Sequence, residues 1–374
     1  MDKLINFPPP RAFRSYPALL RELRPASTAG NEGEASVSET LQKETSSSSI
    51  EDPLLCNVEL PLRAVFYPLG FAFEIVTNSQ AVLDAAGESW RHSRPRDSGP
   101  TLQLRIGVTA RVSGSCPPAP VARGQQHLIS LVADAQNHAI CDLNAGFAFA
   151  WLTEDALQNR SYARYHFIEA VALILISTTY ATPIHAACVS RYGRGMLLCG
   201  PSGAGKSTLA YACARRGWIF TSDDASYLRH HANELRVVGN SHQVRFRPSA
   251  KDLFPELRGR NITPRAEGKP SIEVPTAELP GILTADETLV HHIILLNRVP
   301  SAYAELRSLP REAAQQYFRQ YLQLPDKIQE MQAEAAKSIF TADVHELRYQ
   351  DLEQAIECLD LLAFGQGKPT GQPR

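Results

Sequence analysis

The stretch Gly200–Ser207 constrains the fold of this chain more than any other part of its sequence. It reads Gly-Pro-Ser-Gly-Ala-Gly-Lys-Ser and fits the pattern G-x-x-x-x-G-K-[ST] without a gap. A short apolar segment, Gly195–Cys199, precedes it, and a segment with helical spacing, Lys206–Arg216, follows. This order predicts a strand, a glycine-rich loop and a helix, which together favour an α/β architecture.

The chemistry of such a loop favours an anion. Unpaired backbone N–H groups and the positive end of the helix dipole point at one place. Lys206 is expected to reach the β- and γ-phosphates of ATP, and Ser207 to ligate Mg²⁺. A glycine-rich turn without a ligand is the alternative, and it leaves the lysine without a role. The predicted nucleotide-binding residues of the loop are Gly200, Pro201, Ser202, Gly203, Ala204, Gly205, Lys206, Ser207 and Thr208.

Two adjacent acids, Asp223 and Asp224, follow the next predicted strand, Trp218–Thr221. We expect the strands before the loop and before the acids to be neighbours in a parallel sheet, so that their carboxyl ends bring the acids to the loop. One acid would hold Mg²⁺ and the other would accept a hydroxyl proton. We assign Asp223 as general base and Asp224 to the metal, and the exchanged assignment stays open. An acidic turn in which Asp224 caps a helix is the structural alternative.

Three segments in order, Ile184–Cys188, Gly200–Thr208 and Ser222–Asp224, resemble the catalytic domain of the HPr kinase/phosphorylase family, whose core fold is shared with phosphoenolpyruvate carboxykinase. The resemblance spans roughly Ile184 to Leu228. It implies phosphoryl transfer from ATP, or sometimes pyrophosphate, to a serine hydroxyl with Mg²⁺. It also implies that His185, which alone would be taken for a core histidine, lies near the metal. The predicted catalytic residues are therefore Asp223, Lys206 and His185.

A shorter resemblance lies farther along the chain. Val244–Pro248 followed by Lys269 resembles a motif of small kinase-like tailoring proteins of peptide biosynthesis. It implies that Arg245 and Lys269 clamp phosphate oxygens of the nucleotide. A solvated basic stretch is the alternative. The glycine-rich signature by which HPr kinases recognise their protein partner is not visible after Asp224, where the chain reads Gly239–Gln243, and this argues against HPr as the acceptor.

The distribution of apolar residues predicts four parts. Residues 1–59 form a disordered N-terminal segment and linker, because Ser, Thr, Glu and Gly dominate it. Residues 60–155 form a smaller accessory α+β domain with a helix at Gln80–Trp90. Residues 156–366 form the P-loop catalytic domain, which opens with a helix at Asn159–Thr179, and residues 367–374 form a flexible tail.

The composition excludes several classes of partner. The 374 residues carry a formal net charge of −1, so no basic surface for nucleic acid is expected. Seven cysteines are scattered without a C-x-x-C pair, which is typical of reduced thiols and predicts a cytoplasmic location. The longest apolar stretch, Phe167–Ile176, has about half the length needed to cross a bilayer, so no membrane partner is expected.

The sequence therefore favours an ATP-dependent serine or hydroxyl kinase, a phosphotransferase of the HPr kinase type. Its acceptor is left open among a peptide, a protein and a small molecule, and the resemblance implies that homo-oligomers can form. Two alternatives remain: a non-catalytic ATP-binding regulatory or assembly module, and a carboxykinase-like lyase.

Overall fold

The structure is a computed structural model and describes residues 58–96, 98–110, 114–230, 232, 234–264, 270–319 and 337–365. The predicted N-terminal segment 1–59, apart from its last two residues, lies outside these ranges, and so do the predicted tail 367–374 and Lys269.

The part of the chain from Leu62 to Thr153, called the N-terminal module below, is built on a sheet that has seven strands within the described residues. The strands are β1 Leu62–Phe66, β2 Phe73–Thr77, β3 Leu102–Thr109, β4 Val121–Gln125, β5 Leu128–Val132, β6 His138–Asp142 and β7 Phe147–Thr153. Their order is β1-β2-β3-β7-β6-β5-β4, in which β2, β3 and β7 run parallel and the other neighbours run antiparallel. Helix α1, Gln80–Trp90, connects β2 to β3 and confirms the helix predicted at that place.

A run of helical turns follows this sheet. Its parts are α2 Glu154–Gln158, α3 Arg160–Ala163, a π-helical turn Arg164–Glu169 and α4 Ala170–Thr179. The single helix predicted for Asn159–Thr179 thus contains a π-helical turn, a feature that is frequent at functional sites. Its apolar side chains, among them Phe167 and Leu175, share one buried cluster with Phe73 and Leu104 of the N-terminal sheet. The domain boundary predicted between residues 155 and 156 stays a prediction. The helical run packs against the N-terminal sheet, although most of it follows this boundary in the sequence.

The rest of the described chain forms two further sheets and three helices. The strands are β8 Ala181–Ile184, β9 Ala186–Arg191, β10 Arg194–Cys199, β11 Ile219–Ser222, β12 Ser226–Arg229, β13 Arg236–Gly239, β14 Gln243–Phe246, β15 Thr263–Pro264, β16 Pro270–Pro275, β17 Leu283–Thr284, β18 Glu287–Arg298, β19 Glu305–Leu309 and β20 Asp343–Tyr349. The helices are α5 Lys206–Arg215, α6 Arg311–Arg319 and α7 Leu352–Phe364. Short 3₁₀ turns lie at Pro68–Gly70, Pro248–Asp252, Pro255–Leu257, Thr276–Glu278 and Ser338–Thr341.

The larger sheet has the order β17-β11-β9-β10-β18-β13-β12-β8, and β20 pairs with both β18 and β19. The smaller sheet has the order β14-β16-β15. Successive residues of β10 point to opposite faces of the larger sheet. Met196 and Leu198 join the cluster that holds α5 and α7, whereas Leu197 joins the cluster that holds α6. Helices therefore cover both faces of this sheet, and the strand before the loop is buried between them.

One expectation about this sheet is wrong. Strands β10 and β11 were predicted to be neighbours, but β9 lies between them and runs antiparallel to both. The reason is local, because Tyr192 and Gly193 have φ values of 52° and 74° and close a tight hairpin between β9 and β10. This hairpin places β9 beside β10, so β11 pairs with the far side of β9.

Candidate active site

The order of these three strands explains why distant polar residues meet at one edge of the sheet. Strands β10 and β11 are parallel to each other and end at this edge, and the antiparallel β9 begins there. The residues next to these three strand ends are the loop that starts at Gly200, the acid pair, and His185, which precedes β9. The arrangement brings together all three elements that were predicted from the sequence.

Backbone geometry at two glycines shapes the loop. Gly203 and Gly205 have φ values of 89° and 98°, a region that other residues rarely adopt. A Cβ on Gly205 would also lie 2.6 Å from the hydroxyl oxygen of Tyr349, which donates a hydrogen bond to Ala204 O at 3.0 Å. The loop is therefore held from β20 at a point where no side chain other than hydrogen fits.

Lys206 lies at the start of α5 and is 4% exposed. Its Nζ donates to the carbonyl oxygen of Gly200 at 2.9 Å and lies 2.8 Å from Nε2 of His185. Its distance to Oδ1 of Asp224 is 3.9 Å. Burial lowers the pKa of Lys206, and the carboxylate of Asp224 opposes this shift. The ammonium group thus lies among acceptors at the mouth of the loop.

His185 bridges Lys206 and Asp224 and is 2% exposed. A protonated lysine can only donate, so Nε2 of His185 accepts, and the ring proton is assigned to Nδ1. That nitrogen lies 3.4 Å from Oδ1 of Asp224. The imidazole therefore faces a cation with one nitrogen and a carboxylate with the other.

The two acids occupy different environments. Asp224 faces Lys206 and His185, whereas Oδ2 of Asp223 accepts a hydrogen bond from the backbone N–H of Arg245 at 2.8 Å. The hydroxyl of Ser207 donates to the backbone carbonyl of Asp223 at 3.1 Å. The start of the helix and the acid pair are thus hydrogen-bonded directly, and the two carboxylates are not equivalent.

Of the two arginines around β14, it is Arg247 that contacts the loop. Its guanidinium donates to Oγ of Ser202 at 2.7 Å. Nε of Arg245 instead lies 3.4 Å from Oε1 of Glu273, and its charge also interacts with Asp223. Sequence reasoning selected Arg245 and missed Arg247. The strand ends at Phe246, so the chain leaves the sheet at the second arginine. The role predicted for Arg245 stays a prediction.

Tyr317 is a second residue that sequence reasoning missed. Its hydroxyl accepts from Gly200 N at 2.9 Å and lies 3.0 Å from His185 O and 3.1 Å from Gly200 O. The side chain is 1% exposed. It links the first residue of the loop to the residue that precedes β9. Tyr317 and Tyr349 come from α6 and β20, more than a hundred residues after the loop, and nothing in their local sequence indicates this contact.

The donor set at the sheet edge fits Mg²⁺ bound together with phosphates. Ser207 and Asp224 offer oxygen ligands, and Mg²⁺ in nucleotide sites commonly uses one or two protein oxygens and the phosphates. In the described part of the chain, no three His, Cys, Asp or Glu side chains are grouped so that they could hold a metal by themselves. A site of this kind depends on the nucleotide for its remaining ligands.

The fold that carries this site is of the mixed α/β class, with parallel and antiparallel strands in both large sheets. Among the described residues, no helix has both the length and the apolar content that crossing a bilayer requires.

Comparison with known proteins found similarity among solved structures. The chain matches no family model and no curated protein. Among solved structures it is similar to the HPr(Ser) kinase/phosphatase from Coxiella burnetii, with 15% sequence identity and a TM-score of 0.28. The match covers 50% of this chain and 96% of that chain.

Proposed function

We propose that this protein is an ATP- and Mg²⁺-dependent phosphotransferase that moves the terminal phosphoryl group of ATP to a hydroxyl of an acceptor. The observation that carries the proposal is the 3.9 Å between Lys206 Nζ and Asp224 Oδ1 beside the glycine-rich loop. A cation suited to phosphate oxygens and a carboxylate suited to a hard metal ion lie side by side at one sheet edge.

The loop would bind the phosphates of ATP through its backbone N–H groups, where the positive end of the α5 dipole favours an anion. Lys206 would exchange the carbonyl of Gly200 for phosphate oxygens, and Arg247 would add a second positive charge above Ser202. Ser207 and Asp224 would hold Mg²⁺, which when bound neutralises charge on the β- and γ-phosphates.

We keep Asp223 as the general base. Its carboxylate accepts a hydrogen bond from Arg245 N–H and borders a cavity, whereas the carboxylate of Asp224, which borders the same cavity, faces Lys206 and His185. In the reaction, the oxygen of the acceptor hydroxyl bonds to the γ-phosphorus while the bond from that phosphorus to the β,γ-bridging oxygen breaks. ADP leaves with the electron pair of that bond, and the hydroxyl proton passes to Asp223.

His185 acts in this proposal through its two neighbours. With Nε2 accepting from Lys206 and Nδ1 facing Asp224, it fixes the distance between the cation and the carboxylate. Buried groups held in this way keep their geometry before the substrate arrives, which is the main requirement for phosphoryl transfer.

The test uses the full chain with γ-labelled ATP and follows both phosphate release to water and transfer to pools of acceptors. Asp223→Asn is expected to lower both rates by about 10²- to 10⁴-fold, the usual contribution of a general base, with ATP affinity nearly unchanged. Asp224→Asn is expected instead to raise the Mg²⁺ concentration needed for half-maximal rate. Asp84→Asn, at an exposed position on α1, is the control.

Three outcomes contradict the proposal or part of it. Transfer at the wild-type rate by Asp223→Asn contradicts the assignment of the base. Tight ATP binding by the wild-type chain without turnover supports the non-catalytic nucleotide-binding module, and nucleotide-dependent decarboxylation of an oxo-dicarboxylate supports the carboxykinase-like lyase.

A further inference from the structure

A cavity of about 520 Å³ borders the acid pair. Its other walls come from the end of α1 and the residues after it, from the π-helical turn, and from the connection between β13 and β14. No residue of Gly200–Thr208, all of which the structure describes, lines this cavity. Asp223 and Asp224 therefore have the loop on one side and a separate cavity on the other.

We infer that this cavity binds the phosphoryl acceptor, and that the acceptor is a small polar compound that carries an anionic group as well as its hydroxyl. The inference rests on the proposed function and names its substrate class. The position of the cavity supports it, since in-line transfer requires donor and acceptor on opposite sides of the reacting phosphorus.

The size and shape of the cavity favour a small molecule over a protein. Pockets of about 300–1,000 Å³ are typical of small-molecule sites. A stable interface with a protein partner buries roughly 800 Å² of surface on each side. Here the acid pair lies within a concave space between the N-terminal module and the larger sheet.

The other acids in the cavity wall are paired with neighbouring groups as well. Oε1 of Glu169 accepts from Ser89 Oγ at 2.6 Å and lies 3.2 Å from Nε of Arg164. Asp286 pairs with Arg96 of the N-terminal module. These pairs offset the charge of the wall carboxylates other than Asp223 and Asp224, so repulsion of an anionic ligand comes mainly from the acid pair.

Arg91 and Arg94 supply positive charge to the cavity. Both follow α1, line the cavity and are exposed. Nε of Arg91 donates to Gly87 O at 3.1 Å, which holds the side chain in place and leaves its terminal N–H groups for a ligand. The guanidinium fork matches the two oxygens of a carboxylate or a phosphate. An acceptor anchored there by its anionic group would place its hydroxyl toward Asp223.

The experiment supplies the full chain with γ-labelled ATP and three pools: hydroxy acids, hydroxyl compounds that carry a phosphate group, and serine-containing peptides. We expect label in one of the first two pools, and which of them is labelled separates a carboxylate from a phosphate. The double variant Arg91→Ala/Arg94→Ala is expected to raise KM for that acceptor by about tenfold or more, with kcat and the KM for ATP unchanged. The control is Arg63→Ala/Arg123→Ala, at exposed positions outside the cavity.

A second variant tests the space itself. Leu173 lines the cavity, and Leu173→Trp is expected to reduce acceptor transfer at least about tenfold while Asp223-dependent hydrolysis of ATP stays near the wild-type rate. If a thermal melt shows that this variant is unfolded, the KM for the acceptor of the Arg91→Ala/Arg94→Ala variant decides whether the inference holds. Label in peptides with no effect of either variant overturns the inference and leaves the proposed function standing. If the wild-type chain shows no turnover of ATP that depends on Asp223, the proposed function is wrong, and the inference is wrong with it.

Discussion

Nζ of Lys206 and Nε2 of His185 lie 2.8 Å apart inside the protein, and both side chains are almost fully buried. The imidazole thus accepts one of the hydrogen bonds that replace those of the lysine ammonium group to water. Three groups at this edge depend on each other, because the histidine also faces Asp224.

Removal of the His185 imidazole, an acceptor for Lys206, should destabilise the fold even in the absence of nucleotide. His185→Leu is expected to lower the free energy of unfolding by about 1–3 kcal/mol, the cost of leaving a buried donor without its partner. His185→Gln keeps an acceptor and should lose less. Urea unfolding measures both variants, and equal losses would show that the hydrogen bond to Lys206 contributes nothing.

Removal of the charge itself should lower both stability and nucleotide binding. Lys206→Met replaces a buried ammonium group, whose pKa is lowered by burial, with an apolar side chain of similar length, and leaves His185 Nε2 and Gly200 O without this donor. The melting temperature is expected to fall, and ATP affinity to fall by about 10- to 100-fold. Calorimetric titration and thermal melts test this pair of outcomes, and unchanged ATP affinity would refute the role of Lys206.

The hydroxyl of Tyr317 can be tested by the removal of one atom. Tyr317→Phe leaves the buried N–H of Gly200 without its acceptor and should lower the free energy of unfolding by about 1–2 kcal/mol. ATP affinity should fall as well, since the first residue of the loop loses its anchor. Tyr303→Phe, at a side chain that is 78% exposed, is the control and should change neither quantity.

The tight space at Gly205 makes a sharper prediction. Gly205→Ala and Gly217→Ala both place a Cβ at positive φ, but the new Cβ at Gly217 meets nothing within 4 Å, whereas at Gly205 it lies 2.6 Å from the Tyr349 hydroxyl. Gly217→Ala should cost about 1–2 kcal/mol of unfolding free energy, and Gly205→Ala clearly more.

A second substitution separates steric contact from backbone strain. In Gly205→Ala/Tyr349→Phe the clashing oxygen is gone, so part of the lost stability should return compared with Gly205→Ala alone. If the double variant is less stable than the sum of the two single losses, the contact in the structure is not the cause.

A buried histidine pair makes stability depend on pH. His292 and His345 pack with ring centroids 5.4 Å apart, and burial, aided by His345, lowers the pKa of His292 to about 4. The unfolded chain takes up this proton near its ordinary pKa of about 6.5, so the unfolded state binds more protons between those values. The contribution of neutral His292 to stability is therefore fully present above about pH 6.5 and is lost as the pH falls toward 4.

The variant His292→Gln should flatten this dependence. The slope of unfolding free energy against pH is expected to decrease by at most about 1.4 kcal/mol per pH unit in the window from 6.5 to 4, which corresponds to one proton. Urea unfolding at four or five pH values measures it. Identical slopes for the wild type and the variant would mean that His292 takes up its proton equally in both states.

Short-range signals in the sequence carried much of the site. The predicted helix Lys206–Arg216 differs from α5 by one residue, and Gly217 ends it with a φ of 81° as a helix cap requires. The structure places the loop, His185 and Asp224 close together, and their roles stay predictions. The loop and the acid pair were found from residues close together in the chain, whereas His185 was found only through the family resemblance.

The parts that were not predicted depend on long-range contacts. The place of β9 follows from the positive φ of Tyr192, a residue type that gives no turn signal. Tyr349 reaches the loop from β20, which pairs with β18 beside β10, and Tyr317 reaches it from α6. No local pattern reports such contacts, and for the same reason the cavity between the N-terminal module and the acid pair could not be anticipated.

The pairing of β10 with β18 has a consequence for synthesis of the chain. Gly195–Cys199 finds its second neighbour in Val290–Leu295, nearly a hundred residues later. Until those residues leave the ribosome, the strand before the loop has an open apolar edge that can pair with another nascent chain. Fragments that stop before Glu287 should therefore aggregate, and this protein's yield in cells should depend on chaperones that protect that edge.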